Sequence, residues 1–120
     1  GDLGELLWAA ATGSVAGHEV TWRPDAAVTV VLASGGYPGS YPTGVPIAGV
    51  DAAAALTDVE VFHAGTRREE GGQLVTAGGR VFAVTALGAN VAAARARAYE
   101  AAERITFDGV HRRSDIAAGV

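Results

Sequence analysis

Apolar residues open the chain at helical spacing: Leu3, Leu6, Leu7 and Ala10 fall at i, i+3, i+4 and i+7. Asp2 followed by Glu5 has the form of a capping box and Gly13 that of a C-terminal stop, so the pattern predicts a helix between them. The period then changes. His18 to Arg23 alternates, with Val20 and Trp22 on one face, and predicts a strand closed by a Pro24-Asp25 turn. Ala27 to Ala33 carries Val28, Val30, Val31 and Leu32 almost without interruption, the pattern of a strand covered on both faces and so central in its sheet. Asp51 is placed to cap a short helical turn through Leu56, and Val59 to His63 alternates again. Thr66 to Gly72, with Arg67, Arg68, Glu69 and Glu70, suits a solvated hairpin tip before a short strand at Gln73 to Thr76.

Gly78-Gly79 turns the chain into Arg80 to Leu87, where Val81, Ala83 and Thr85 oppose Phe82, Val84 and Ala86. Asn90 is a good N-cap for a helix running to about Arg104. It turns Val91, Ala94, Ala98, Ala101 and Ile105 inward and leaves Arg95, Arg97, Glu100 and Glu103 mostly to water. The tail from Thr106 to Ile116 adds one short strand and a polar end. Strands gathered before a late helix predict the α+β class. The expected architecture is a small, mostly antiparallel β-sheet or barrel-like domain with a short N-terminal helix and one long C-terminal helix.

Length and composition narrow the function. The 120 residues suffice for one core, and 49% hydrophobic with 18% charged residues is a globular balance. A net charge of -4 with scattered arginines excludes nucleic acid as the main partner, which leaves anionic small molecules met one Arg at a time. Without cysteine there is neither a disulfide framework nor a thiolate metal site, and no apolar run approaches the roughly 20 residues of a membrane span. No membrane partner and a cytoplasmic location are therefore expected. All nine basic residues are Arg, which together with the abundant Ala and Gly reflects a GC-rich coding sequence more than chemistry. The opening helix, starting at Gly1-Asp2 without Met, suits a helix cut from a longer protein.

Known chemical motifs are few. There is no GxxxxGK[ST] phosphate loop, the glycines from Gly35 to Gly44 lack dinucleotide spacing, and Ser34-Gly35 is no nucleophile elbow. His18, His63 and His111 lie far apart without metal-ligand spacing, and His63, at a strand end, suits a hydrogen-bonded rim residue. The carboxylates are dispersed and form no acid/base pair. Two places stand out. Tyr37 and Tyr41, in a loop of Gly and Pro, suit stacking on a ligand or neighbouring domain, or simple packing on their own strands. Arg80, following Gly78-Gly79, suits an anion contact in which backbone N–H groups and a guanidinium converge, or a bare hairpin turn.

Three stretches carry a family resemblance: Ala33-Ser34-Gly35-Gly36-Tyr37-Pro38-Gly39 with Tyr41, Thr43-Gly44 and Ile47 to Gly49; Val61-Phe62-His63-Ala64-Gly65-Thr66; and Gly78 to Gly88. With the later Arg97-Ala98-Tyr99 and the Arg113, Asp115 and Ile116 of the tail, they resemble the C-terminal domain of the glycinamide ribonucleotide synthetases, ATP-grasp ligases of purine biosynthesis. Arg67 stands where that family usually has Lys, Arg112 where it has an aromatic, and Ala117 where it has Gly.

The resemblance implies an ATP-dependent, ADP-forming ligase that joins glycine to 5-phosphoribosylamine through a glycyl phosphate. ATP and Mg2+ would be held upstream of Gly1, so this chain alone is expected to be inactive and to contain no catalytic residue and no metal ligand. Residues 1–13 become the helix leaving the ATP-grasp core, and 14–120 the C-terminal domain, with the N-terminal and ATP-grasp domains of the same enzyme as partners. Gly36, Tyr37, Pro38, Gly79 and Arg80 are the candidate substrate-binding residues, with Arg80 on a phosphate. The alternative is an autonomous β-rich binding or interaction module without catalysis.

Overall fold

The computed structural model describes residues 1–120. Helix α1, Leu3–Thr12, starts where expected, because the Asp2 carboxylate accepts the Glu5 N–H at 3.1 Å. It stops at Gly13, whose left-handed backbone (φ 75°) returns its N–H to the last turn. Only Ala9 of this helix is buried.

Strands β1 (Ala26–Ala33) and β2 (Val59–His63) both pair antiparallel with a third, Arg80–Gly88. That third strand is β5, counted after a hairpin of β3 (Thr66–Arg68) and β4 (Leu74–Thr76). The order β1-β5-β2 corrects the expectation that Ala27 to Ala33 is central, since β5 takes that place. The near-continuous apolar run of β1 has a different cause. Val28, Val30 and Leu32 face the core, while Val31, on the opposite face, is 41% exposed.

The last helix, α3 (Val91–Arg104), lies across the core face of the sheet. Asn90 caps it, its Oδ1 accepting the Ala93 N–H at 2.9 Å. Its buried side chains, Ala94, Ala98, Ala101 and Ala102, are small enough for the helix to settle close to the strands, which supply the bulk through Leu32, Phe82, Val30 and Val84. Each of these larger side chains contributes roughly 1.5–3 kcal/mol on full burial. The β3–β4 hairpin docks through the segment 44–47: Gly44 and Ile47 donate to the Thr76 and Leu74 carbonyls at 2.7 and 2.9 Å. The fold is thus α+β with antiparallel sheets, and the segment expected as a hairpin tip contributes strand β3 as well.

Three other expectations are corrected. His18 to Arg23 forms no strand, and Val20 and Trp22 are exposed. Two alternating apolar residues make a strand only when a neighbouring edge offers a ladder, and none pairs with them. Helix α2 (Val50–Ala54) begins two residues earlier than expected, with Gly49 and not Asp51 at its N-cap. Arg95 and Arg97 are half-buried instead of facing water. Arg95 donates to the Ile116 and Ser114 carbonyls at 2.8 and 2.7 Å, and Arg97 to Asp58 and the Leu87 carbonyl at 2.9 and 3.1 Å. Arg95 and Tyr99, which donates to the Arg113 carbonyl at 2.6 Å, wind the tail onto α3. The tail forms no strand and pairs only through isolated bridges, His111 to Ala33 at the end of β1 and Thr106 to Ala48.

Candidate functional site

Where β1 ends and β5 begins, two loops are stitched together. Ser34, 3% exposed, donates its N–H to the Gly79 carbonyl at 2.8 Å and its hydroxyl to the Gly78 carbonyl at 2.9 Å. Its own carbonyl accepts the Tyr37 N–H at 3.1 Å. The chain then curls through Gly36, at φ 96°, where a Cβ would overlap the Ser40 carbonyl, and through a cis Tyr37–Pro38 bond. Gly79 is required for a second reason: a Cβ there would fall inside the Tyr37 ring, so the aromatic side chain rests directly on the Gly79 backbone. On its other side the turn meets Gly65, whose N–H donates to the Arg80 carbonyl at 2.8 Å. A Cβ on Gly65 would stand 2.7 Å from both that oxygen and the Gly78 Cα.

These contacts frame an open cavity of about 470 Å³. Val31, Phe82 and Ala83 of the sheet make its floor, Tyr37, Tyr41 and Ala64 its walls, and Gly79 and Arg80 its rim. The two tyrosine rings are tilted at 58° with centroids 6.1 Å apart. No carboxylate lines it.

Arg80 differs from every other arginine of the chain. Arg23, Arg67, Arg97, Arg104, Arg112 and Arg113 each have a carboxylate partner, and Arg68 and Arg95 donate to backbone carbonyls. The Arg80 guanidinium has neither. A planar cation with five free donors, beside aromatic walls and with no neighbouring negative charge, is matched to an anion such as phosphate or carboxylate.

Of the candidate residues, Tyr37, Gly79 and Arg80 thus meet at one cavity, while Gly36 and Pro38 shape the loop without lining it. Tyr41 joins them as a second wall. Sequence reasoning missed Val31 and Ala83, whose shared place on the open face appears only in the β1–β5 register, where they are partners. It also missed Ser34, whose hydroxyl meets a partner 44 residues away. His63 sits outside, as a rim residue: its Nδ1 lies 3.0 Å from the Thr66 hydroxyl and its ring meets Phe82 edge-on. Nowhere do three His, Asp or Glu side chains gather as metal ligands would. No helix is long and apolar enough to cross a membrane.

Residues 27–119 match the family described as phosphoribosylglycinamide synthetase, C domain. The chain belongs to this family. It is 54% identical over 119 residues to the phosphoribosylamine–glycine ligase of Streptomyces coelicolor, covering 97% of this chain and 28% of the relative. The ligase of Rhizobium meliloti is 50% identical over 96% of the chain and 26% of its own length, and the chloroplastic one of Arabidopsis thaliana 44% over 96% and 22%. The crystal structure of the Thermotoga maritima ligase superposes with a TM-score of 0.74 at 35% identity, covering 96% of this chain and 28% of that one. The chain therefore spans about a quarter of the length of the ligases it matches, and among them it corresponds to the C domain.

Proposed function

We propose that this chain is the domain of a phosphoribosylamine–glycine ligase that walls the phosphoribosylamine side of the active site, with Arg80 holding the substrate's phosphate. The observation that carries the reading is the guanidinium without an internal partner, set on a cavity free of carboxylates. An anchored phosphate fixes one end of the substrate and leaves its amine free to attack an activated glycyl carbonyl, with phosphate as the leaving group. Holding the reactant in this way removes part of the entropy cost of bringing amine and acyl group together. Tyr37 and Tyr41 present aromatic faces suited to the sugar's apolar surface.

The other half of the chemistry belongs to the rest of the enzyme. ATP and Mg2+ need a phosphate cradle and converging carboxylates, and the residues of this chain do not supply that donor set. In this reading residues 1–13 form the helix that joins the ATP-grasp core, 14–120 form the C domain, and the N-terminal and ATP-grasp domains are its partners. In the same reading the substrates are small molecules and the reaction runs in the cytoplasm.

The test is Arg80→Ala in the full-length ligase. A charged hydrogen bond to phosphate is worth roughly 1.5–3 kcal/mol, so the apparent KM for phosphoribosylamine should rise about 10- to 150-fold. Those for glycine and ATP should stay near wild type. A parallel rise in all three, or a fall in Tm alone, would make Arg80 structural and the loop a plain turn.

A further inference from the structure

We propose that Ser34 is the positioning residue of this site: it acts through the Gly78–Arg80 turn to hold the Arg80 guanidinium and the Tyr37 ring in one fixed relation. The inference rests on the phosphate-holding role proposed for Arg80. Only two polar residues of the chain are buried, Ser34 and Thr76. Thr76 serves the hairpin, its hydroxyl accepting the Val45 N–H at 3.1 Å. Ser34 is placed otherwise, since its hydroxyl and both backbone groups meet the two loops that frame the cavity.

The need for such a residue follows from the turn itself. Gly78 and Gly79 have no side chains with which to fix themselves, and a Gly-Gly pair has the widest range of backbone conformations to lose on folding. Gly79 cannot be replaced by a stiffer residue, because the Tyr37 ring occupies the space a Cβ would take. Rigidity must therefore come from outside the turn. Gly65 clamps one side through the Arg80 carbonyl, and Ser34 clamps the other through the carbonyls of Gly78 and Gly79. In Ser34→Ala the backbone bonds persist, whereas the hydroxyl bond does not. Without it the Gly78 carbonyl loses its partner and the turn gains freedom, and Arg80 must be ordered again whenever an anion binds. A group held only by its supporting contacts loses affinity when those contacts go, even though it never left the sequence.

The experiment is a double-mutant cycle in the full-length ligase, with Ser34→Ala, Arg80→Ala and the pair. Apparent KM for phosphoribosylamine, glycine and ATP is read with Tm for each protein. Ser34→Ala should raise the phosphoribosylamine KM about 3- to 10-fold and leave the other two near wild type. Placed on Arg80→Ala, it should add less than about twofold, because it acts through a guanidinium no longer there. Full additivity of the two changes, or a lower Tm with all three KM values unchanged, would overturn the proposal. Where Ser34→Ala yields no folded enzyme, Ser34→Cys fills the site with a slightly larger atom, weakens the donor, and is judged by the same outcomes. The two readings fail separately: no effect of Arg80→Ala on phosphoribosylamine removes the assignment of Arg80, whereas a large effect of Arg80→Ala with none from Ser34→Ala removes only this inference.

Discussion

Residues 1–25 and residues 26–120 are both rich in apolar side chains and place them in opposite ways. The connected core of 16 buried residues runs from Val28 to Phe107, and the first region contributes none of it. Helix α1 has a good cap, a good stop and an apolar stripe, yet Leu3, Leu7 and Trp8 are 60–72% exposed, and Trp22 is 84% exposed. An amphipathic pattern is enough to specify a helix, and burial takes a second surface. The later region has that surface because β1, β5 and β2 present Val28, Leu32, Phe82 and Val84 to one alanine-rich face of α3. In the first region Leu3, Leu7, Trp8 and Trp22 face outward, and we propose that the remaining domains of the ligase cover them.

The strongest way to break this comparison is to insert the same methyl group into both regions. Gly49 (φ 85°) and Gly17 (φ 93°) both adopt the left-handed backbone that costs a side chain about 1 kcal/mol. At Gly49 a Cβ would also overlap the Arg104 carbonyl at the end of α3, whereas nothing lies within 4 Å of one at Gly17. Gly49→Ala should therefore cost about 3 kcal/mol or more and lower Tm by roughly 10 °C. Gly17→Ala should cost about 1 kcal/mol. Thermal unfolding of the two variants measures both. Equal losses would mean that residues 1–25 are as tightly built in as the rest.

A second substitution sharpens the contrast instead of breaking it. Leu7→Ser combined with Trp8→Ser removes apolar surface that this chain leaves wet, so its Tm should move by no more than about 0.5 kcal/mol allows. In the full-length ligase the same pair should cost about 2 kcal/mol, the scale of one or two large side chains brought out of a contact. Thermal unfolding run on both proteins gives the difference directly. Equal, small effects in both would show that α1 is solvated in the whole enzyme too and that its stripe has no partner.

What was legible in the sequence divides along the same line. Local devices were readable: the Asp2 and Asn90 caps, the Gly13 stop and the alternation of β2 and β5 each depend on residues a few positions apart. Pairing was not. The alternation from His18 to Arg23 resembles that of Val59 to His63, and only the second finds an edge, on β5. The apolar run of β1 suggested two covered faces, because Val31 looks like core until the register shows it beside Ala83 on the open side. At the site, glycines and tyrosines announced an unusual loop, and the resemblance pointed to Arg80. Neither could mark Ser34, since a serine ahead of two glycines has no special appearance until Gly78 and Gly79 are folded against it.

The tail tests the comparison from a third side, because residues 111–116 are largely exposed like the first region and yet docked like the second. The Arg113 guanidinium donates to both Asp115 carboxylate oxygens, at 2.9 and 2.6 Å, and this hydrogen bond holds the Asp115 carboxyl below its ordinary range. A carboxylate whose pKa is depressed on folding stabilises the fold at pH above its unfolded value, and the contribution disappears as pH falls through the folded value. Both groups lie in water, so the effect on stability is slight, and salt screens it further. Docking rests elsewhere, on Arg95 and Tyr99, which bind the carbonyls of Ser114, Ile116 and Arg113 whatever the pH does to Asp115. Carboxyl NMR should accordingly show Asp115 titrating below the usual range, and Arg113→Gln should return it there. The amide signals of residues 113–116 should keep their positions in that variant and at a pH low enough to protonate Asp115. If they shift toward unfolded values together with the carboxyl, the exposed ion pair holds the tail in place, and the polar contacts to α3 are the lesser part of its docking.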